Sequence, residues 1–213
     1  MKKQLLAIIL ALMPLVSFAQ TKEDINSDMP VAWLGIDFSQ LKFVVDTTKT
    51  EPYKGVPTNK ELRQTYFEAW NNIFISESKK YNVAAATHRE SVKYALEVTR
   101  SVNENLQNVR FVTTDIDQWC LLKKAKIASL VHDYDFKGNK GLGLMFFVDG
   151  MSKYDDQCSI WAVYVNMNDG TVLDARHYLY RPFGFGIRNQ YANTFYYTLR
   201  EMGRSFFRTY EIN

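Results

Sequence analysis

Two long apolar segments near the C-terminus constrain the fold more than any other feature of the sequence. Residues 141–151 (GLGLMFFVDGM) and 158–167 (CSIWAVYVNM) are apolar at successive positions, so both faces of each strand would be apolar. Strands of this kind lie inside a sheet that is covered on both sides. The turn signal at residues 168–170 (Asn-Asp-Gly) leads into residues 171–180 (TVLDARHYLY), which are expected to return as an antiparallel partner. The three segments predict an antiparallel meander.

The N-terminal part of the chain carries weaker strand and loop signals. Residues 20–30 (QTKEDINSDMP) are polar and are interpreted as a loose lead. Residues 31–45 (VAWLGIDFSQLKFVV) are rich in β-forming side chains with polar interruptions, and they predict one long or broken strand. Residues 46–57 are rich in turn-forming residues and predict a loop.

Helix signals fill most of the remaining sequence. A capping box at residues 58–61 (TNKE) predicts a helix that runs to about Lys80, with an apolar face formed by Leu62, Tyr66, Trp70, Ile73 and Phe74. Residues 92–106 fit a weaker second helix, and residues 188–207 fit the last one. Asp115 is placed to cap a third helix, whose solvated face would carry Lys123, Lys124 and Lys126.

Together these segments predict a single α/β domain over residues 31–213. The expected architecture is layered, with a mixed sheet whose C-terminal three strands form the antiparallel meander and with about four packing helices. A chain of 213 residues suits one domain with its own hydrophobic core.

The first residues of the chain have the pattern of an export signal. Residues 1–19 combine Lys2 and Lys3 with an apolar run, and small residues precede a predicted cut before Gln20. The sequence therefore predicts a periplasmic or extracellular protein with no transmembrane segment in the mature chain. Loss of the two lysines lowers the formal net charge from +3 to +1, which argues against nucleic acid as a partner.

The sequence contains two cysteines, Cys120 and Cys158. Export would make a disulfide between them chemically possible, whereas a domain of this size could equally bury both as free thiols. Spacing along the sequence does not supply the geometry that a bridge requires. Neither cysteine lies in a recognisable catalytic motif.

The connection between the last strand and the last helix is the candidate binding site. Its two glycines lie between two arginines, and such an arrangement can bind an anion at a helix N-terminus. However, the Gly-x-Gly spacing lacks the remaining residues of the dinucleotide-binding and P-loop motifs. The two phenylalanines either pack inward in a plain connection or face solvent as a partner-binding patch. The candidate residues are Arg181, Phe183, Gly184, Phe185, Gly186 and Arg188.

Candidate catalytic residues are few. His132 and Asp133 end the predicted third helix, and together with Asp149 they are the acid–base group of a possible hydrolase without a known motif. The helix dipole alone also favours a histidine at a helix C-terminus. No histidine pair has metal-ligand spacing, so the sequence predicts no metal and no cofactor. Weaker alternatives are Ser152 as a nucleophile and the acid–base pairs Glu90 with Glu97 and Asp37 with Asp149.

One set of segments forms a recurring block: residues 141–153 (GLGLMFFVDGMSK), 161–179 (WAVYVNMNDGTVLDARHYL), 182–192 (PFGFGIRNQYA) and the helix 66–81 with its Trp70-Asn71 pair. This block resembles one in a family of uncharacterised exported bacterial envelope proteins. A more distant resemblance is to the α/β domain of curli-assembly and penicillin-binding-protein activator lipoproteins, although this chain lacks their lipobox cysteine. The resemblance implies an α/β fold and no particular activity.

Three functions follow as hypotheses from these features. The leading one is a non-enzymatic binding or accessory module of the cell envelope, whose partner is an envelope protein or a small ligand. It rests on the export signal, on the 15% aromatic content and on the missing catalytic motifs. The alternatives are a hydrolase with a non-motif active site and a protein that binds a small anion or a lipid.

Overall fold

The computed structural model describes residues 21–210 of the 213-residue chain. The predicted signal peptide at residues 1–19 and its cleavage point before Gln20 lie outside the described residues. Within residues 21–210, helices cover both faces of one mixed sheet. The α/β class that the sequence predicted therefore holds.

The sheet is organised around one long central strand, β5 (Leu142–Ser152). The other strands are β1 (Val31–Asp37), β2 (Lys42–Val44), β3 (Val92–Tyr94), β4 (Val112–Thr113), β6 (Gln157–Asn166) and β7 (Thr171–Tyr180). Both β1 and β2 pair in parallel with the same edge of β5, β1 along its first half and β2 at its end. On this side, β3 extends β1 and β4 extends β2, again in parallel. The other edge of β5 pairs antiparallel with β6, which pairs antiparallel with β7.

The structure confirms the predicted antiparallel meander, which is formed by β5, β6 and β7. It also confirms residues 31–45 as a broken strand, because the chain leaves the sheet at residues 38–41 and re-enters it farther along β5. The parallel half of the sheet is built from this broken strand and from two very short strands, and their pairing depends on contacts that are distant in sequence.

Four helices and one single helical turn, α2, surround the sheet in residues 21–210. The predicted capping box is confirmed, because the Thr58 hydroxyl accepts the Glu61 backbone N–H and the Glu61 carboxylate accepts the Thr58 backbone N–H. The helix that it opens, α1, spans residues 59–76 and includes a π-helical stretch, Leu62–Tyr66. The others are α2 (Val83–Ala86), α3 (Glu97–Asn103), α4 (Lys124–His132) and α5 (Ile187–Tyr210).

The predicted third helix begins later than expected. Asp115 caps only a 3-10 turn, Ile116–Gln118, and α4 starts at Lys124. Between them Cys120 has φ of 58°, a left-handed conformation that cannot continue a right-handed helix. Residues 119–123 therefore form a loop, which places Cys120 at the sheet instead of in a helix.

Two N-terminal predictions also need correction. The polar lead is ordered around a 3-10 turn, Lys22–Asn26, whose Ile25 is buried in the core. The Arg89 guanidinium holds this segment by donating to the carbonyl oxygens of Ile25 and Met29. Residues 92–106, predicted as one helix, instead contain β3 and the short helix α3.

Each face of the sheet has its own apolar layer. On one face α1 and α5 pack over a cluster that includes Trp33, Trp70, Phe146, Tyr191 and Phe195. On the other face α3 and α4 pack over a cluster that includes Leu34, Val98, Ile127, Phe147 and Val163. The second face also carries a polar cluster, which lies beside the N-terminal end of α4.

Candidate functional site

Four polar side chains meet on the face of the sheet that α4 covers. The Ser159 hydroxyl donates to Oδ1 of Asp149 at 2.5 Å, and Nε2 of His177 lies 2.7 Å from Ser159 Oγ. The Cys120 sulfur lies 3.6 Å from the same Nε2 and 3.4 Å from Ser159 Oγ. The cluster therefore joins a thiol, an imidazole, a hydroxyl and a carboxylate in one hydrogen-bonded chain.

A β-bulge positions the carboxylate. The register between β5 and β6 shifts between Val148 and Gly150, so Asp149 is the extra residue of the bulge. Its second oxygen, Oδ2, accepts the backbone N–H of Leu122 at 2.9 Å. Both carboxylate oxygens are thus held, one by β6 and one by the loop that carries the thiol. Bulges of this kind re-aim side chains and are common beside active sites.

The thiol is held by a strained loop lying against a glycine. Cys120 adopts φ of 58°, which costs a residue with a β-carbon about 1–2 kcal/mol. The loop lies directly over Gly150, where an added β-carbon would be 2.7 Å from the Trp119 ring and 3.1 Å from the Cys120 backbone nitrogen. Any larger residue at position 150 would push the thiol away from the sheet. Strain of this kind in a fold is often found at functional sites.

The imidazole belongs to the edge strand β7. The ring of His177 stacks on the ring of Trp161 with a centroid distance of 4.7 Å and an interplanar angle of 24°. His177 is exposed and Cys120 is half-buried, whereas Ser159 and Asp149 are buried. A molecule from solvent can therefore contact the thiol and the imidazole but not the hydroxyl or the carboxylate.

The environment keeps the thiol and the imidazole neutral near pH 7. Burial raises the pKa of the Cys120 thiol above its ordinary value, an effect that the Ser159 hydrogen bond and the Lys123 charge partly oppose. Burial also lowers the pKa of His177, against the opposing effect of the Asp149 charge. Burial raises the pKa of the Asp149 carboxyl, which its hydrogen bonds partly counteract. The resting pair is a thiol beside an imidazole, not a thiolate beside an imidazolium.

The structure separates the catalytic candidates suggested by the sequence. Asp149 belongs to the cluster and is bonded to Leu122, which precedes α4. His132 is the last residue of α4 and Asp133 is its C-cap, so both lie at the opposite end of that helix. A nine-residue helix is about 13 Å long, so these two side chains cannot join the Asp149 cluster. They occupy the position that the helix dipole favours for a histidine.

Three of the remaining weak candidates, Ser152, Asp37 and Glu97, have other partners. The Ser152 hydroxyl donates to Asp155 in the turn that follows β5. Tyr134 donates to the buried carboxylate of Asp37, and Asn139 donates to Glu97. Both cysteines are free, and Cys158 lies in the core on the opposite face of the sheet. Within residues 21–210 no group of three or more His, Cys, Asp or Glu residues is arranged to hold a metal ion.

The 181–186 connection presents its two aromatic rings to solvent. Phe183 is 72% exposed and Phe185 is 95% exposed, so the inward-packing interpretation is wrong. Positive φ angles at Gly184 and Gly186 permit this path of the chain. Their values are 133° and 76°.

The two arginines of this connection are already paired with carboxylates. Arg181 contacts Asp156 at 2.5 Å, and Arg188 contacts Glu77 at 2.6 Å. Since both guanidinium groups have acidic partners, the geometry gives little support to an anion cradle between the glycines. It is compatible with the aromatic patch.

Sequence reasoning missed three of the four cluster residues: Cys120, Ser159 and His177. The third helix predicted from the Asp115 cap would include Cys120, whereas the structure has a loop at this position. The sequence signal that could have found them is the alternation of side chains between the two faces of a strand. Ser159 and Trp161 share one face of β6, and His177 lies on the same face of the sheet in β7. The bulge at Asp149 has no sequence signature here.

No helix within residues 21–210 has the length and apolar character needed to cross a membrane. No protein-family model matches the chain, and no curated protein and no solved structure is significantly similar to it.

Proposed function

We propose that this protein is a thiol-dependent hydrolase in which Cys120 is the nucleophile and His177 is its general base. One observation carries the proposal: the Cys120 sulfur lies 3.6 Å from Nε2 of His177, which is linked through Ser159 to the buried carboxylate of Asp149. A nucleophile, a base and a group that orients the base are the parts that nucleophilic catalysis requires.

Burial supports the assignment of roles. Ser159 is fully buried, so its hydroxyl cannot reach a substrate, whereas the Cys120 thiol is partly exposed. Ser159 therefore acts as a positioning residue between His177 and Asp149. Once Nε2 of His177 has taken the thiol proton, the Ser159 hydroxyl accepts a hydrogen bond from it while donating its own hydrogen to the carboxylate.

The proposed step begins with attack of the Cys120 sulfur on the carbonyl carbon of an ester, thioester or amide. The thiol proton moves to Nε2 of His177 as the S–C bond forms and the carbonyl π electrons move to oxygen. The new Nε2–H donates to Ser159 Oγ, and the Ser159 hydroxyl donates to Asp149, so the carboxylate stabilises an imidazolium that it does not touch. The leaving group departs with the proton from Nε2. Water, deprotonated by His177, then releases the acid and restores the thiol.

The raised pKa of Cys120 and the lowered pKa of His177 favour this order of events. Because the resting pair is neutral, proton transfer accompanies the attack and does not precede it. General-base assistance of this kind contributes about 10²–10⁴-fold to a rate. The base thus matters more here than in an enzyme whose thiolate is already formed.

The test uses the chain from Gln20 onward and the activated ester p-nitrophenyl acetate. Mass spectrometry should locate an acetyl adduct on Cys120, and Cys120→Ser should abolish both the adduct and turnover. His177→Asn should slow acylation about 100-fold. Cys158→Ala is the matched control, since that thiol lies on the other face of the sheet, and it should acylate normally. Acylation of His177→Asn at the parental rate, or no adduct on the parental chain, would overturn the proposal.

A second function, binding to a partner in the cell envelope, has an observation of its own. The exposure of Phe183 and Phe185 supports a protein-binding patch, since isolated rings so fully exposed have no packing role. The signal-peptide pattern and the resemblance to exported envelope proteins support a periplasmic or extracellular location for it. Capture from envelope extract with the mature chain, compared with Phe183→Ala/Phe185→Ala, tests this function. A partner retained by the double variant would rule the patch out.

A further inference from the structure

We infer that the Cys120 site selects substrates that carry a negatively charged group, a carboxylate or a phosphate, beside the bond that is attacked. This inference rests on the proposed hydrolase function and adds the class of substrate to it. Three observations support it: a groove beside His177, cations in that groove without acidic partners, and a further lysine next to the thiol.

His177 forms part of the wall of an open groove of about 540 Å³. The groove lies between β7, the first residue of α4 and the last turns of α5, with Trp161 at its side. Nε2 of the same histidine lies 3.6 Å from the Cys120 sulfur, so the groove shares one wall residue with the thiol site.

The charges in the groove do not balance. Arg176 and Lys22 both pair with Asp174, at 2.9 Å and 3.9 Å. Lys124 and Arg208 are exposed, and neither forms an ion pair with any residue in the described part of the chain. The groove wall has one further acid, Glu201, so its cations outnumber its acids.

Lys123 adds a positive charge three residues after the thiol-bearing Cys120. Its charge lowers the pKa values of both Cys120 and His177, which places it within electrostatic reach of the reacting groups. The sequence suggested that Lys123 and Lys124 are simply a solvated face of a helix. Both lysines are exposed, and they lie at the start of α4, immediately after the thiol-bearing loop.

Two alkylating reagents of the same size but different charge test the inference. Iodoacetate is anionic and iodoacetamide is neutral, and each displaces iodide with the Cys120 sulfur. Mass spectrometry of the chain from Gln20 onward gives both rates. The ratio of the iodoacetate rate to the iodoacetamide rate should be at least about fivefold higher in the folded chain than in the urea-unfolded chain. The excess should shrink as salt screens the exposed cations.

In Lys124→Glu/Arg208→Glu the ratio of the iodoacetate rate to the iodoacetamide rate should fall to the value of the unfolded chain, and this ratio cancels any change in the reactivity of the thiol itself. Lys60→Glu/Lys79→Glu is the matched control, because it makes the same change in net charge at exposed positions on and just after α1. The inference would be overturned if the folded and unfolded chains had the same ratio of iodoacetate to iodoacetamide rates. It would also be overturned if the control variant lowered this ratio as much as Lys124→Glu/Arg208→Glu.

A titration with inorganic phosphate and with succinate separates this inference from the hydrolase proposal. In Cys120→Ser, backbone NMR signals of Lys124, His177 and Arg208 should shift with either anion, and the charge-reversed variant should not respond. Stronger binding of one anion identifies phosphate or carboxylate as the group selected. An unreactive Cys120 together with these shifts would overturn only the hydrolase. A reactive Cys120 with no shifts and no reagent preference would overturn only the anion selection.

Discussion

Ser159 and His177 are joined by a 2.7 Å contact although neither is the other's partner in the register of β6 and β7. The register places Ser159 opposite Leu179 and His177 opposite Trp161. The contact is therefore diagonal across the antiparallel pair, on a single face, within reach of polar side chains as long as histidine. The stacked ring of Trp161 holds the imidazole in the direction that makes this contact.

Removal of the Ser159 hydroxyl should slow the reaction at Cys120 without moving the thiol. In Ser159→Ala, the imidazolium loses its link to Asp149, so acylation by p-nitrophenyl acetate should fall about tenfold or more. The pH–rate profile should also change, since the Asp149 charge opposes the lowering of the His177 pKa by burial. Ser152→Ala is the control, because that buried serine bonds to Asp155 outside the cluster. An unchanged rate in Ser159→Ala would show that the hydroxyl only fills space.

Replacement of Cys120 should reveal the backbone strain at the site. Cys120→Gly relieves the left-handed conformation, whereas Cys120→Ala keeps the β-carbon that causes the strain. We expect the glycine variant to be more stable than the alanine variant by about 1 kcal/mol. This figure is the backbone strain that glycine relieves minus the conformational entropy that glycine loses on folding. Urea unfolding of the two variants measures the difference. Neither variant should form an acyl adduct. If the alanine variant is as stable as the glycine variant or more stable, the loop relaxes and the strain is absent.

The buried thiol of Cys158 should make the fold sensitive to alkali. Burial raises its pKa from 9.0 to about 12, so the folded state keeps the proton between these pH values while the unfolded state releases it. Below pH 9 both states are protonated and this stabilisation is fully present. Above that pH the free energy of unfolding should fall by about 1.4 kcal/mol per pH unit from this group alone.

The contribution of Cys158 is isolated by comparing how steeply the free energy of unfolding falls with pH in two proteins. Urea unfolding between pH 8 and the upper part of that window should show a shallower loss of stability in Cys158→Ala than in the parental chain. The variant loses some packing at every pH, but a constant loss does not alter the slope. Parallel curves for the two proteins would mean that the thiol ionises in the folded state as easily as in the unfolded one.

The aromatic rings of the 181–186 connection should not contribute to stability. In Phe183→Ala/Phe185→Ala the free energy of unfolding should change by less than about 0.5 kcal/mol, since both rings are exposed. The buried Phe195 provides the contrast, because Phe195→Ala should cost about 3–5 kcal/mol. Thermal unfolding of the two variants checks both values. A large destabilisation of the double variant would mean that the rings pack against the protein in solution.

Local sequence signals predicted the parts of the fold that depend on near neighbours. The Thr58–Glu61 capping box involves residues three positions apart, and the meander strands follow one another through short turns. The parallel half of the sheet was not predictable in the same way. It depends on β1 and β2 sharing one edge of β5, a strand that begins about a hundred residues later in the chain.

The candidate site was largely hidden for a related reason. Its residues come from a loop, a bulge and two strands, and they span positions 120 to 177 without a repeated spacing. The apolar neighbours of Cys120 suggested a helix, but its left-handed backbone sends the chain across the sheet. Of the cluster residues, only Asp149 is predicted as a candidate from the sequence, and two of its suggested partners, His132 and Asp133, lie at the far end of α4.

The position of the two cysteines on opposite faces of the sheet has a consequence for oxidation. Cys158 is enclosed under α5, while Cys120 opens toward solvent on the α4 face, so the sheet itself stands between the sulfurs. Their side chains leave the sheet in opposite directions, and no bridge within one chain can form without unfolding. An oxidant would therefore block Cys120 with a small thiol or join two copies of the chain through it. Oxidation would therefore block the Cys120 site reversibly and would not stabilise the fold through a disulfide within the chain.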